Sequence, residues 1–381
     1  MTPVRFRARH FPGLGQQTYL AACSLAPHSE PLARAMAAML AAMKGGKLAW
    51  HAFEEQGQAV RTALARLIGA RVDQVALLPN ASVGAYQVAS TLSWEGKPGI
   101  VYSDQEFPSL AHVWLAQGAR GAAPLAMRNT GAQSCIERQY AERIGKDTRL
   151  VSVPHVCYRH GQRFPVARIA EHAHAAGAKV FVDAYQGVGV QAIDVDSLAC
   201  DYLVGGTMKY LLGLPGLAFL YVRDGLGNDI DPQLTGWFGR VRPFDFDPLA
   251  LDFPPSAARF ETGTPAIPAI YAANAGLAML SELDMYAVQD HVAMLVGRAA
   301  ARLQAQGETL MLAPRAGEHG AHIAVHAPKA AALADALEGE GVVASPRGDA
   351  LRLSFHYYNT VEDIDTCCAA LRRARAVLAG V

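Results

Sequence analysis

The sequence predicts an α/β fold, with a large domain on a mostly parallel sheet and a smaller α+β domain at the C-terminus. Three observations predict it. Between residues 75 and 222, short apolar runs alternate with Ala-rich amphipathic stretches, as strands joined by crossover helices do. Periodicity is lost over residues 225–255, which are rich in Gly, Pro, Asp and aromatics. Beyond them a long helical pattern leads into shorter strands with helices between and after.

The elements follow in order. Residues 30–67 are Ala-rich and read as helical stretches. VALLP (75–79), GIVYS (99–103), APLAM (123–127), LVSVPHV (150–156), KVFVDA (179–184), DYLVGG (201–206) and LAFLYV (217–222) read as strands. Helical windows lie between several of them, such as residues 166–177, which end at the stop signal Gly177. Residues 225–255 read as loop, and a helix is expected from about Pro268 to Gln306. HIAVHA, GVVASP and ALRLSF are the strands of the smaller domain. The expected division is an arm over residues 1–30 that packs with the small domain, a large domain over 31–265 and the small domain over 268–381. No repeat or low-complexity linker interrupts the sequence.

Bulk properties bound the function. The 381 residues are 51% hydrophobic, enough for a large core. Charged residues make up 18% and the formal net charge is zero, so nothing points to nucleic acid. The N-terminus lacks the apolar core of a signal peptide, and no run of about 18 apolar residues suggests a membrane span. Cys23, Cys135, Cys157, Cys200, Cys367 and Cys368 are scattered without a CxxC pair, which fits reduced, mostly buried thiols and a cytoplasmic location.

Two segments carry the chemistry, KVFVDAYQGVGV (179–190) and DYLVGGTMKYLLGLPGLAFLYV (201–222). Each begins with a strand and places polar residues where the strand ends, the position at which open α/β sheets gather ligands. Asp183 falls at one strand tip, and Lys209 follows the next strand by a few residues. Taken alone, Asp183 reads as a cap or turn residue, and GGTMK reads as half a phosphate loop without the GxxxxGK[ST] order. Together they suggest a desolvated lysine amine poised to attack an aldehyde, and a carboxylate to pair with a pyridinium nitrogen. Gln186 stands within reach of a cofactor's phenolic oxygen. His319, His322 and His326 lie where a loop runs into a strand, with no carboxylate or Cys set to complete a metal site; a rim or substrate-pocket role suits them better.

Longer blocks carry a resemblance. TYLAACSLAP, LLPNASVGAYQ, DQEFPSL, PHVCYRHGQRFPV, GWFGRVRPFDFDP, RFETGTPAIPAI and ALRLSFHYYNTVEDID resemble successive motifs of the pyridoxal-5′-phosphate (PLP) enzymes of fold type I, class V. Within that group the sequence is most similar to kynureninase and selenocysteine lyase-like members. The resemblance covers most of its length. It implies that Lys209 carries PLP as a Schiff base and moves the Cα proton, and that Asp183 pairs with the pyridinium nitrogen. It implies that Phe107 stacks on the ring, and that Ala81 and Ser82 receive the phosphate at a helix N-terminus. Gln186, Thr207 and Trp237 join the cofactor set. Thr262, Gly263 and Thr264 reach the phosphate of the other subunit of a homodimer with shared sites. Arg352 clamps the α-carboxylate of an amino-acid substrate.

Departures bear on the substrate. Cys23 stands where kynureninases usually carry Asn, Leu110 where they carry Asp, Gln186 where they carry His, and Met208 where they carry a phosphate-binding Tyr. Residues 310–353 contain no Cys, so the protein persulfide of cysteine desulfurases is not expected. The expected function is a lyase or hydrolase that cleaves a C–C or C–S/Se bond in the side chain of an L-amino acid. The alternatives are a class V aminotransferase or epimerase, and a PLP-binding regulator without turnover.

Overall fold

The computed structural model describes residues 1–15, 17–128, 136–226, 229–311, 315 and 317–379. In sequence order the strands are β1 (Thr18–Tyr19), β2 (Val75–Leu78), β3 (Gly99–Ser103), β4 (Ala123–Met127), β5 (Thr148–Pro154), β6 (Lys179–Asp183), β7 (Tyr202–Gly206), β8 (Ala218–Val222), β9 (His322–His326), β10 (Val342–Val343), β11 (Ser345–Arg347) and β12 (Ala350–Ser354). Seven of them form one sheet in the order β2-β8-β7-β6-β5-β3-β4. All neighbours are parallel except β8, which runs antiparallel to both β2 and β7. The mostly parallel α/β reading therefore holds.

The central strands explain why this sheet is buried on both faces. Side chains alternate across a strand, and here both alternations are apolar. Val151, Val153, Val180, Val182 and Leu203 enter one core. Leu150, Phe181, Tyr202 and Val204 enter the other. Helices cover each side, as parallel sheets require.

The helical stretches over residues 30–67 are two, and the long helix expected after Pro268 is broken. Residues 30–67 divide into the helices Glu30–Ala42 and Ala49–Leu67, joined by a 3₁₀ segment Met43–Leu48. Gly46 sits there at φ +58°, a conformation that glycine adopts freely. The long C-terminal pattern divides into Ile267–Leu280 and Met285–Ala305. The second starts where the Asp284 carboxylate accepts the Tyr286 N–H.

The smaller sheet has the order β11-β12-β9, all antiparallel. The N-terminal segment ties onto this region. β1 pairs in parallel with β10, and the Ser354 N–H donates to the Leu20 carbonyl at 2.8 Å. Residues 225–255 contain the short 3₁₀ turns Trp237–Gly239 and Pro243–Asp245. No helix among the described residues is long and apolar enough to cross a membrane. Five cysteines are buried and free, and Cys135 lies outside the described residues.

Candidate active site

Neighbouring parallel strands β6 and β7 end side by side and set the site. Asp183 is the last residue of β6, and its carboxylate accepts the Tyr185 N–H at 2.9 Å. β7 ends at Gly206, and a tight turn returns Lys209 towards Asp183. The turn is braced from inside. The Gly213 N–H donates to the Thr207 carbonyl at 2.8 Å, and the Thr207 N–H to the Leu217 carbonyl at 3.1 Å. Leu212 is held at φ +61°.

Lys209 reaches a cavity of about 180 Å³ whose wall includes Asp183, Gln186 and Phe107. Its Nζ lies 4.4 Å from the centroid of the Tyr185 ring and 5.5 Å from that of Phe107. A Cβ on Gly206 would overlap the Tyr185 ring, so this approach needs glycine. Burial pushes the Lys209 amine down to about 8, opposed in part by the charge of Asp183. Burial raises the Asp183 carboxyl, opposed by the Tyr185 N–H and by Lys209.

At the far side of the cavity the helix Ala81–Ser90 begins. Its cap is Asn80, whose side chain accepts the Val83 N–H at 3.0 Å. Ser82 is therefore not the capping residue. Ala81 and Ser82, in the first turn of the helix, line the cavity wall, where a helix N-terminus favours anions. Phe107 leads into the helix Pro108–Ala116 and packs edge-on against Tyr158, with ring centroids 5.2 Å apart. The Gln186 side chain donates to the Cys23 carbonyl at 3.0 Å, which draws the N-terminal segment to the site.

Glu106 lies buried close to Asp183. Trp114 donates its indole N–H to the carboxyl at 3.0 Å, while burial pushes the Glu106 pKa up to about 8, with Asp183 adding to the rise. Sequence reasoning missed Tyr185, Tyr158 and Glu106. The order Asp-Ala-Tyr-Gln could have flagged Tyr185. Nothing in the sequence marks Glu106 as a buried acid.

Residues 36–367 match the model of the aminotransferase class-V family. The chain belongs to the class-V aminotransferase family. It is 36% identical to the uncharacterized aminotransferase YcbU of Bacillus subtilis (strain 168), over 95% of each protein. It is 27% identical to the kynureninase of Pseudomonas fluorescens, over 83% of its own length and 78% of that enzyme. Its fold superposes on the cystine C–S lyase C-DES with a TM-score of 0.86 at 22% identity, covering 95% and 98%. The protein is thus a PLP-dependent enzyme of class V.

The residues of the cavity fit that cofactor. A buried amine, a carboxylate opposite it, an aromatic face and a helix N-terminus surround one space. The Gln186 Oε1 atom is buried without a partner among the described residues, as expected beside a polar ligand.

Not every expected site residue faces this cavity. Thr207, expected in the cofactor set, lies off the wall of this cavity. It is fully buried, and its hydroxyl bonds the Leu214 and Leu217 carbonyls at 3.0 and 3.1 Å. The tight loop leaves those carbonyls in need of a donor, so Thr207 braces the lysine turn. Trp237 lies outside the cavity wall, packed against Trp50, Phe238, Phe244 and Phe246. Thr262, Gly263 and Thr264 line a separate small cleft beside Pro79, and Gly263 and Thr264 are exposed. Arg352 is buried behind the wall, donating to the Tyr158 carbonyl at 2.8 Å and the Ser345 hydroxyl at 2.7 Å.

Proposed function

We propose that this class-V enzyme is a lyase or hydrolase that cleaves a bond in the side chain of an L-amino acid, in the manner of kynureninase. The observation that carries this reading is the kynureninase relationship, which extends over 83% of the protein and includes the segments that hold Asp183 and Lys209.

Bound PLP supplies an electron sink for the substrate's Cα. The protein's own residues do the rest. The Lys209 amine, desolvated and between two aromatic rings, receives and returns the Cα proton. Asp183 keeps a proton on the ring nitrogen. Phe107 and Tyr185 confine the ring, Gln186 meets its phenolic oxygen, and Ala81 and Ser82 hold the phosphate. Arg352 takes the substrate α-carboxylate by exchanging the Tyr158 carbonyl for it.

Thr262, Gly263 and Thr264 serve the phosphate site of a second copy, with Trp237 beside them. Phe244, Phe246, Leu249 and Leu251 are exposed nearby in sequence, Leu249 at 95%, and an apolar surface of this kind suits a homodimer interface. Transamination is the second reading, favoured by the name of the Bacillus subtilis relative at 36% identity.

A single-turnover experiment separates them. Purified holoenzyme is mixed with kynurenine or cysteine-type substrates without any keto acid, and the cofactor spectrum is followed. Return of the starting spectrum with release of a cleaved product supports a lyase or hydrolase. A cofactor left in its amine form makes the enzyme an aminotransferase and overturns the proposal.

A further inference from the structure

The antiparallel register of β9 and β12 sets His322 opposite Ser354 and Ala324 opposite Arg352, while β11 sets Ser345 opposite Arg352. Residues opposite one another, or two apart along a strand, share a face. His322, Arg352, Ser354 and Ser345 therefore project from one face of the small sheet. Three of the four are bonded. The Ser354 hydroxyl donates to the Leu20 carbonyl at 2.9 Å and accepts the Cys23 N–H at 3.0 Å. Arg352 and Ser345 are joined as described above.

His322 differs. It is fully buried, and neither ring nitrogen has a hydrogen-bond partner among the described residues. The Arg352 Nε is likewise buried without one. By contrast, buried His356 has both nitrogens engaged, with the Tyr210 carbonyl at 3.0 Å and the Tyr357 N–H at 2.8 Å. An unpaired buried polar group is costly to leave unsatisfied, so this pair is suited to a ligand.

The sign of that ligand follows from its surroundings. Burial holds the imidazole neutral, and the charge of Arg352, with smaller effects from His319, His160 and Lys209, acts in the same direction. A neutral imidazole offers one N–H, and the Arg352 Nε offers another. Two donors in a positive field match the two oxygens of a carboxylate.

We propose that His322 is a specificity-determining residue that donates an N–H to the substrate's α-carboxylate beside Arg352. The proposal rests on the reading of Arg352 as the carboxylate clamp. Ser354 and the Cys23 N–H hold the same face against the N-terminal segment, which in turn is held by Gln186. The carboxylate end of the pocket is thus tied to the cofactor end.

The test titrates PLP-loaded protein with L-alanine and with ethylamine, its counterpart without a carboxylate, and follows the cofactor's absorbance. His322→Met should weaken L-alanine about tenfold, the loss of one charge-assisted hydrogen bond, and change ethylamine less than about twofold. His322→Gln, which keeps a donor, should recover part of the loss. His322→Asn, which shortens the donor's reach, replaces His322→Met should that variant fail to fold. Equal weakening of both probes, or of neither, overturns the proposal. Arg352→Lys in the same titration tests the underlying reading. If it leaves L-alanine binding unchanged, Arg352 is not the clamp and the proposal falls with it.

Discussion

At the ends of β6 and β7 the ionisable groups answer one another. Asp183 and Lys209 share a cavity wall, and each draws the other towards its charged form against the effect of burial. On β9 and β12, Arg352 is bonded to Tyr158 and Ser345, while neither ring nitrogen of His322 has a hydrogen-bond partner among the described residues. The proposed cofactor end is organised by the protein itself, whereas the proposed substrate end lacks an acceptor among the described residues. Preorganisation of the first favours chemistry on a bound cofactor. Incompleteness of the second lets binding energy depend on what the substrate brings, and a site with unpaired donors discriminates strongly against ligands lacking the acceptor.

The sharpest way to break this comparison is to remove the amine. Lys209→Ala is expected to lower turnover by at least about a thousandfold, since both the covalent anchor and the proton carrier are lost. Steady-state assays together with mass spectrometry after borohydride reduction check it, and retention of a covalent cofactor in the variant would falsify the assignment. Asp183→Asn comes next. The amide cannot hold the ring nitrogen's proton, and a fall of about a hundredfold in turnover is expected with the cofactor still bound. An unchanged rate means that Asp183 is only a structural residue of the β6 end.

Glu106→Gln probes how tightly the cofactor end is closed to water. In the fold Glu106 keeps its proton up to a pH of about 8, whereas the unfolded state releases it near 4.5. Between those values the folded state binds more protons than the unfolded one, so wild-type stability falls as pH rises through that window. Glutamine has no proton to lose. Its advantage over wild type should grow by up to about 1.4 kcal/mol per pH unit between about pH 5 and 8, then level off. Urea unfolding of both proteins at several pH values checks this, and a constant difference counts against a buried, protonated Glu106. The smallest effect is expected at the phosphate. Ser82→Ala removes one hydroxyl but leaves the helix cap on Asn80 intact. Cofactor affinity should fall about tenfold, a hydrogen bond to a charged group, with little change in melting temperature. A large loss of thermal stability instead assigns the Ser82 hydroxyl a structural role.

The legible part of the site lies on the large sheet. Asp183 and Lys209 could be read because each follows a buried strand within a few residues, and strand ends are where a parallel sheet exposes its backbone to ligands. Tyr185 and Glu106 lie as near in sequence but were not read. A tyrosine beside Gly206 and a glutamate before a helix carry no local mark of burial. Thr207 shows the reverse. It lies two residues from Lys209, yet two loop carbonyls 7 and 10 residues further on claim its hydroxyl. The long helix expected from about Pro268 to Gln306 broke before Asp284, where a cap outweighed the apolar periodicity.

The sequence by itself determined the α/β class, the alternation that buries the sheet on both faces, and the positions of Asp183 and Lys209. These depend on local periodicity and on a few residues at strand ends. Only the tertiary structure decided that Arg352 and His322 share one face, that Cys23 meets both Gln186 and Ser354, and that Glu106 is desolvated close to Asp183. Each of those relations joins residues far apart in sequence, 331 positions in the case of Cys23 and Ser354. Burial, pairing and field are set by what the fold packs around each residue, and no local pattern records them.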